Sequence, residues 1–217
     1  MPRLLLKPLV SSKRVRRSTD CTGYSLNQAQ NWKSTNFKTI LSWEPKPSAT
    51  YSYTVEYSTV SGNNQRTPHC IQTTETVCDL SSSLTDLNAY YTADVLSETP
   101  RLATTDLIES PHTSTPRFCP YKDTEIGKPD FKLEVIESQK KTTLYVTDPL
   151  TALFKDGHQL NIRDIFADQL HYKVTYRKNK STGKKVHISK TNLIELTDLD
   201  LPVCQMRQWR ATHTAVV

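Results

Sequence analysis

At 217 residues the chain has room for two domains of about 100 residues each. Only 36% of residues are hydrophobic, with 5 glycines and 12 prolines; with abundant serine and threonine, that balance suits many short strands with polar outer faces better than a helical bundle. The net charge of +6 points to an anionic contact such as a lipid surface, a glycan or an acidic protein. Nucleic acid is disfavoured, because dense basic runs are confined to Lys13-Arg14-Val15-Arg16-Arg17 and to 177–185.

In chain order, residues 1–23 read as a disordered tail. Met1-Pro-Arg-Leu-Leu-Leu-Lys-Pro-Leu-Val10 starts basic, but Lys7 and Pro8 break its apolar run, which makes it a poor secretion signal. No stretch approaches the roughly 18 apolar residues that span a bilayer.

A first β-sandwich is expected over 24–122, with strands at 24–33, 37–43, 51–59, 69–74, 76–80, 89–96 and 117–121. Phe37, Thr39 and Leu41 share one face, while Lys38, Ile40 and Ser42 share the other. Trp43 closes that strand, and Glu44-Pro-Lys-Pro47 ends the pairing because proline donates no ladder hydrogen bond. Tyr51, Tyr53, Val55 and Tyr57 form one face of the next strand, and Tyr91, Ala93 and Val95 one face of a later one. A tyrosine just past a tight corner predicts a hydroxyl tied to upstream backbone. Cys70 and Cys78 bracket a short segment between strands and are expected to be bonded, whereas Cys21, Cys119 and Cys204 have no obvious mates.

The pattern restarts over 128–217, with strands at 129–136, 142–147, 170–177, 185–189 and 192–196. The one-sided apolar set Ile162, Ile165 and Phe166 predicts a helical turn within 161–170. Poor alternation over 203–217 predicts no further strand, so the second sandwich is expected to lack its last strand or strands.

No catalytic constellation emerges. The six histidines are scattered and none has metal-ligand spacing. Ser181-Thr-Gly-Lys-Lys185 lacks the upstream glycine and the hydroxyl of a phosphate loop. A non-enzymatic protein without metal or cofactor is expected. Asn179-Lys-Ser181 is a glycosylation sequon in a polar loop.

Trp32-Lys-Ser-Thr-Asn-Phe-Lys-Thr-Ile-Leu41 followed by Trp43-Glu-Pro-Lys-Pro47 resembles the first extracellular module of the tissue factor family, a branch of the class II cytokine receptors. Cys70, Thr73-Thr74, Cys78-Asp-Leu80, Leu160-Asn-Ile-Arg-Asp-Ile-Phe166 and Ser181-Thr-Gly-Lys-Lys185 extend the similarity over roughly 32–200. The resemblance implies an all-β fold of two tandem fibronectin type III-like sandwiches, the second incomplete at its C-terminus. It implies a receptor and cofactor that binds coagulation factor VII/VIIa, presents it to factor X at an anionic phospholipid surface, and does no chemistry itself. On this resemblance Lys33, Thr35, Lys38, Ile40 and Asp79 contact the protease. Lys178, Thr182, Gly183, Lys184 and Lys185 lie near the substrate and the lipid. The sequence departs from the family at Asn63-Asn-Gln-Arg66, where an aromatic anchor is replaced, and at Arg177. The family implies an extracellular, single-pass location; a cytokine-binding receptor chain is the competing reading.

Overall fold

Alternation decides which side of each strand is buried, and the computed structural model follows it closely. The structure describes residues 29–44, 52–98, 112–136, 141–178, 185–196 and 204–213. The predicted tail at 1–23, the sequon residue Asn179, and Thr182, Gly183 and Lys184 lie outside the described residues.

In the first sandwich, β1 (Ala29–Thr35), β2 (Lys38–Glu44) and β5 (Val77–Asp79) form one antiparallel sheet. The facing sheet runs in the order β4 (Gln65–Arg66), β3 (Ser52–Thr59), β6 (Tyr91–Glu98), β7 (His112–Ser114). Leu41, Trp43, Tyr53, Val55, Tyr57, Tyr91, Ala93 and Val95 fill the core between them, on the faces that alternation assigns. Trp43 meets Tyr53 edge-on at 5.7 Å between ring centroids, a favoured aromatic geometry. The Tyr91 hydroxyl accepts a 3.1 Å bond from the Asp86 amide, as the corner pattern predicts. Cys70 and Cys78 form a disulfide with their Cα atoms 6.0 Å apart, and Cys119 is a buried free thiol.

The second sandwich has one sheet of β14 (Leu193–Leu196), β9 (Lys141–Thr147) and β8 (Asp130–Ile136), in that order. The other runs β13 (Lys185–Ser189), β12 (Leu170–Lys178), β15 (Cys204–His213). Between them in sequence, β10 (Leu150–Lys155) and β11 (His158–Asn161) make a hairpin that leads into helix α2 (Ile162–Phe166). The Asn161 side chain caps α2 by accepting from the amides of Arg163 and Asp164, and the Asp164 carboxylate accepts from the Asn161 amide; this reciprocal box fixes where the predicted helical turn starts.

Four expectations are corrected. The segment 69–74 is not a strand: Pro68 heads a single 3-10 turn, Pro68–Cys70, and Gln72 sits at φ 50°, so pairing shrinks to one bridge from Thr73 to Tyr53. The segment 117–121 gives only a bridge from Phe118 to Tyr91 before Pro120 opens α1 (Pro120–Asp123), because proline suits the first helical position and lacks the donor that a strand needs. The hairpin of β10 and β11 is additional to the predicted strands. Finally, 203–217 does supply a strand, β15, paired antiparallel along β12. Its register shifts between Tyr176 opposite Met206 and Thr175 opposite Gln208. That one-residue bulge puts Met206 and Trp209 at register positions opposite Tyr176 and Val174, so residues three apart occupy one sheet face and strict alternation misses them. The second module's sheet still has three strands among the described residues, against four in the first.

The tip of the β1–β2 hairpin joins the two sandwiches. Asn36 and Phe37, both at positive φ (49° and 65°), make a two-residue turn closed by Thr35 opposite Lys38. Phe37 is buried in the second module's core, 5.6 Å from Phe166, which also meets Tyr121 in a tilted contact at 5.0 Å between centroids. Backbone bonds reinforce the contact: Asn36 N–H to Glu125 O at 2.9 Å and Ala152 N–H to Asn36 O at 2.9 Å. The Asn36 side-chain oxygen accepts from the Gly127 amide at 2.7 Å.

Candidate functional site

Pleating sends alternate residues of β1, β2 and β5 outward, and those residues form the candidate surface. Residues directly opposite in an antiparallel pair share a face. Lys33, Ile40 and Asp79 stand in one row across the three strands, and Thr35 stands opposite Lys38 in the next. Ser34, Thr39, Leu41 and Cys78 on the opposite face are buried. All five residues expected to contact a protease thus lie on one outward face.

Lys38 Nζ lies 3.6 Å from Asp79 Oδ2, and the two side chains are 64% and 44% exposed, so the pair is solvated and its net stabilisation small. Asp79 Oδ1 accepts from the Ser81 amide at 3.0 Å and from the Ser81 hydroxyl at 2.5 Å. Partial burial pushes the Asp79 carboxyl up, but these bonds and the Lys38 charge outweigh it and hold its pKa below the ordinary value. Ser81 Oγ also accepts from the Thr39 amide at 2.9 Å, and the His69 ring bonds the Asp79 carbonyl at 2.9 Å. The Asp79 carboxylate is therefore held in place rather than free to swing.

An open groove of 840 Å³ runs from this charged pair across the junction, lined by Lys38, His69, Asp79, Leu150, Phe154 and Gln159. Leu150 and Phe154 are 59% and 67% exposed. Sequence reasoning missed these hairpin residues, although Asp156-Gly157 between two apolar-bearing runs is a readable two-residue turn signal. Lys178 and Lys185 are brought to another hairpin: Lys178 ends β12 and the exposed Lys185 opens β13. His69 lies within 4.8 Å of the sulfurs of Cys70 and Cys78; since those sulfurs are bonded to each other, neither is a thiolate able to hold a metal. No helix of the described residues is long and apolar enough to cross a membrane.

A family model described as tissue factor matches residues 4–104, and one described as interferon-alpha/beta receptor, fibronectin type III, matches residues 124–203. The two sandwiches are the tandem fibronectin type III pair of the class II cytokine receptors. The chain is 41% identical over 170 residues to tissue factor of Mus musculus, covering 74% of this chain and 56% of that protein. It is 39% identical over 190 residues to tissue factor of Oryctolagus cuniculus, covering 86% and 62%. The first sandwich carries a tissue factor family domain, and the chain spans somewhat over half the length of these relatives. More distantly, it is 29% identical over 157 residues to interleukin-10 receptor subunit beta of Mus musculus, covering 70% of this chain and 39% of that one. In fold it is similar to the crystal structure of the chicken interferon gamma receptor alpha chain, with a TM-score of 0.56 at 19% identity, covering 88% of this chain and 98% of that one.

Proposed function

We propose that this chain acts outside the cell as a non-enzymatic receptor and cofactor for coagulation factor VII/VIIa, holding the protease over factor X at an anionic phospholipid surface. The observation that carries the reading is the alignment of Lys33, Thr35, Lys38, Ile40 and Asp79 on one outward sheet face, continuous with the groove at the junction, in a chain whose first module matches the tissue factor family model. A cofactor of this kind forms and breaks no bonds. It positions two macromolecules and binds the active conformation of the protease better than the inactive one. Lys178, Lys184 and Lys185 would supply the charge that meets the substrate or lipid headgroups, at about 1 kcal/mol each near such a surface, with Thr182 and Gly183 shaping the loop between them. Asn179 would carry a glycan in that loop.

The test is capture of factor VIIa by the chain, and factor X activation on vesicles containing phosphatidylserine, for the wild type and for Lys38→Glu with Asp79→Lys. The double reversal keeps an internal ion pair while inverting the charge pattern that a partner meets. A loss of affinity of tenfold or more is expected; unchanged capture rejects this face. A second reading, a cytokine-binding receptor chain, is favoured by the interferon-receptor match over residues 124–203. Binding of a helical cytokine without acceleration of factor X activation would select it.

A further inference from the structure

Among the described residues, one group of three ligand-type side chains is close enough to share a metal ion. A ring nitrogen of His69 and the sulfurs of Cys70 and Cys78 all lie within 4.8 Å of one another. Two short elements bring them together: the 3-10 turn Pro68–Cys70 supplies His69 and Cys70, and β5 supplies Cys78. In the oxidised chain the sulfurs are bonded to each other and neither is a ligand. Reduction would leave two thiolate-forming groups beside an imidazole, a donor set suited to zinc.

The histidine is already oriented as a ligand. His69 Nε2 lies 2.9 Å from the Asp79 carbonyl oxygen. A carbonyl only accepts, so Nε2 carries the proton and Nδ1 keeps the lone pair that a metal needs. Nδ1 takes a long 3.3 Å bond from the Thr67 hydroxyl, weak enough to yield to a metal. A tie from the other ring nitrogen to a carbonyl is the usual support of a metal-bound imidazole. The spacing fits as well. Tetrahedral zinc holds two sulfurs about 3.8 Å apart, and a sulfur and a nitrogen about 3.6 Å apart. Side-chain rotation can reach those separations while the cysteine Cα atoms, 6.0 Å apart, stay in place. Both cysteines are buried and His69 is exposed, so a water can complete the tetrahedron from the solvent side.

The segment between the cysteines is lightly tied. Exposed Ile71 and Val77 lie at its ends, Gln72 sits at φ 50°, and the segment meets β3 in one bridge, Thr73 to Tyr53. Local opening there would admit a reductant.

We propose that a dithiol reductant converts the Cys70–Cys78 disulfide into a Zn²⁺ site formed by Cys70, Cys78, His69 and one water. Two electrons pass from the dithiol to the cystine: the bond between Cys70 and Cys78 breaks, the reductant's own disulfide forms, and its two protons move to the cysteine sulfurs. Zn²⁺ then displaces both protons, two thiolates balance its charge, and neutral imidazole is the third protein ligand. The metal closes the same loop that the disulfide closed. Zinc binding here is independent of whether the neighbouring face of Lys38 and Asp79 meets a protease.

The test uses the full chain with Cys21→Ser, Cys119→Ala and Cys204→Ser, so that this pair supplies its only thiols. The chain is compared oxidised and after reduction by a water-soluble phosphine that is then removed under argon. In competition with a chromogenic chelator, the reduced chain should take up one Zn²⁺ and bind it at least a hundredfold more tightly than the oxidised chain. Co²⁺ in place of zinc should show thiolate charge-transfer and tetrahedral d–d bands, the latter shifted by His69→Ala. That exposed substitution should weaken Zn²⁺ binding at least tenfold, and saturating Zn²⁺ should slow alkylation of Cys70 and Cys78 by iodoacetamide at least tenfold. Equal binding by the oxidised chain would place the metal elsewhere and overturn the proposal. An affinity unchanged by His69→Ala would leave a site of two sulfurs without the imidazole and overturn it too. If reduction lowers the melting transition of the first module, Zn²⁺ should raise it again, and should fail to do so with His69→Ala. A lowered melt indifferent to Zn²⁺ would show that reduction destroys the site, and would equally overturn the proposal.

Discussion

Asp79 owes its low pKa to a neighbour two residues along the chain more than to the lysine across the strand pair. Burial favours the neutral acid, and against it work first the two Ser81 bonds and then the Lys38 charge. Because the folded pKa lies below the ordinary 3.8, the carboxylate stabilises the fold above that value, and this contribution is lost as pH falls through the lowered folded pKa. Ser81→Ala should therefore raise the Asp79 midpoint, read by carboxyl-carbon NMR titration, by more than Lys38→Ala does. The reverse ranking would mean that the ion pair, and not the turn, fixes this carboxylate. Tyr91 makes a similar local tie within the core. Tyr91→Phe removes the hydroxyl that accepts from the Asp86 amide and should cost about 1 kcal/mol in chemical denaturation without changing the slope of the transition.

At the level of elements, turn chemistry accounts for what was legible and what was not. Burial on β2, β3 and β6 follows period two from the sequence, and the capping residues of α2 stand in plain view at Asn161 and Asp164. The strands misread at 69–74 and 117–121 are those where proline overrides a hydrophobic pattern, at Pro68, Pro116 and Pro120. β15 was hidden by its bulge, since no periodicity read along one strand reveals an extra residue opposite its partner. The groove residues on β10 and β11 depend on Asp156 and Gly157, at φ 51° and 79°. A methyl at Gly157 would meet no atom within 4 Å, so Gly157→Ala should cost only backbone strain, about 1 kcal/mol. Differential scanning calorimetry should place that loss in the second module; a loss several times larger would show that the hairpin turn packs more tightly than its open surroundings indicate. The disulfide, with a sequence separation of 8, closes a short loop, and replacing both cysteines by serine should lower stability by ~2.5 kcal/mol on loop-closure grounds, again seen in the melting of the first module.

For the molecule as a whole, the decisive contact is one that the sequence disguises. Phe37 sits in register with Thr39 and Leu41 and reads as a residue of the first core. Its positive φ in a two-residue turn sends it instead into the second core, against Phe166. A phenylalanine at φ 65° is held in a region that bulky residues rarely occupy, and it persists because burial and the backbone bonds of Asn36 outweigh the strain. The candidate face lies on one module and half of the groove on the other, so the surface is a single object only while this junction holds. Phe37→Ala keeps the backbone strain and removes the buried ring, a change that typically costs about 3–5 kcal/mol. Alanine there touches nothing on the outward face. The expected result is a lower melting transition for the second module and altered residual dipolar couplings between modules. Protease capture should weaken through faster dissociation, because the bound geometry is no longer preorganised. Ile40→Ala on the outward face should do the converse, weakening capture with little change in melting. If Phe37→Ala left the couplings and the capture unchanged while lowering the melt, the ring would be core filling for one module, and the two halves of the groove would have to be held together by something other than this hairpin tip.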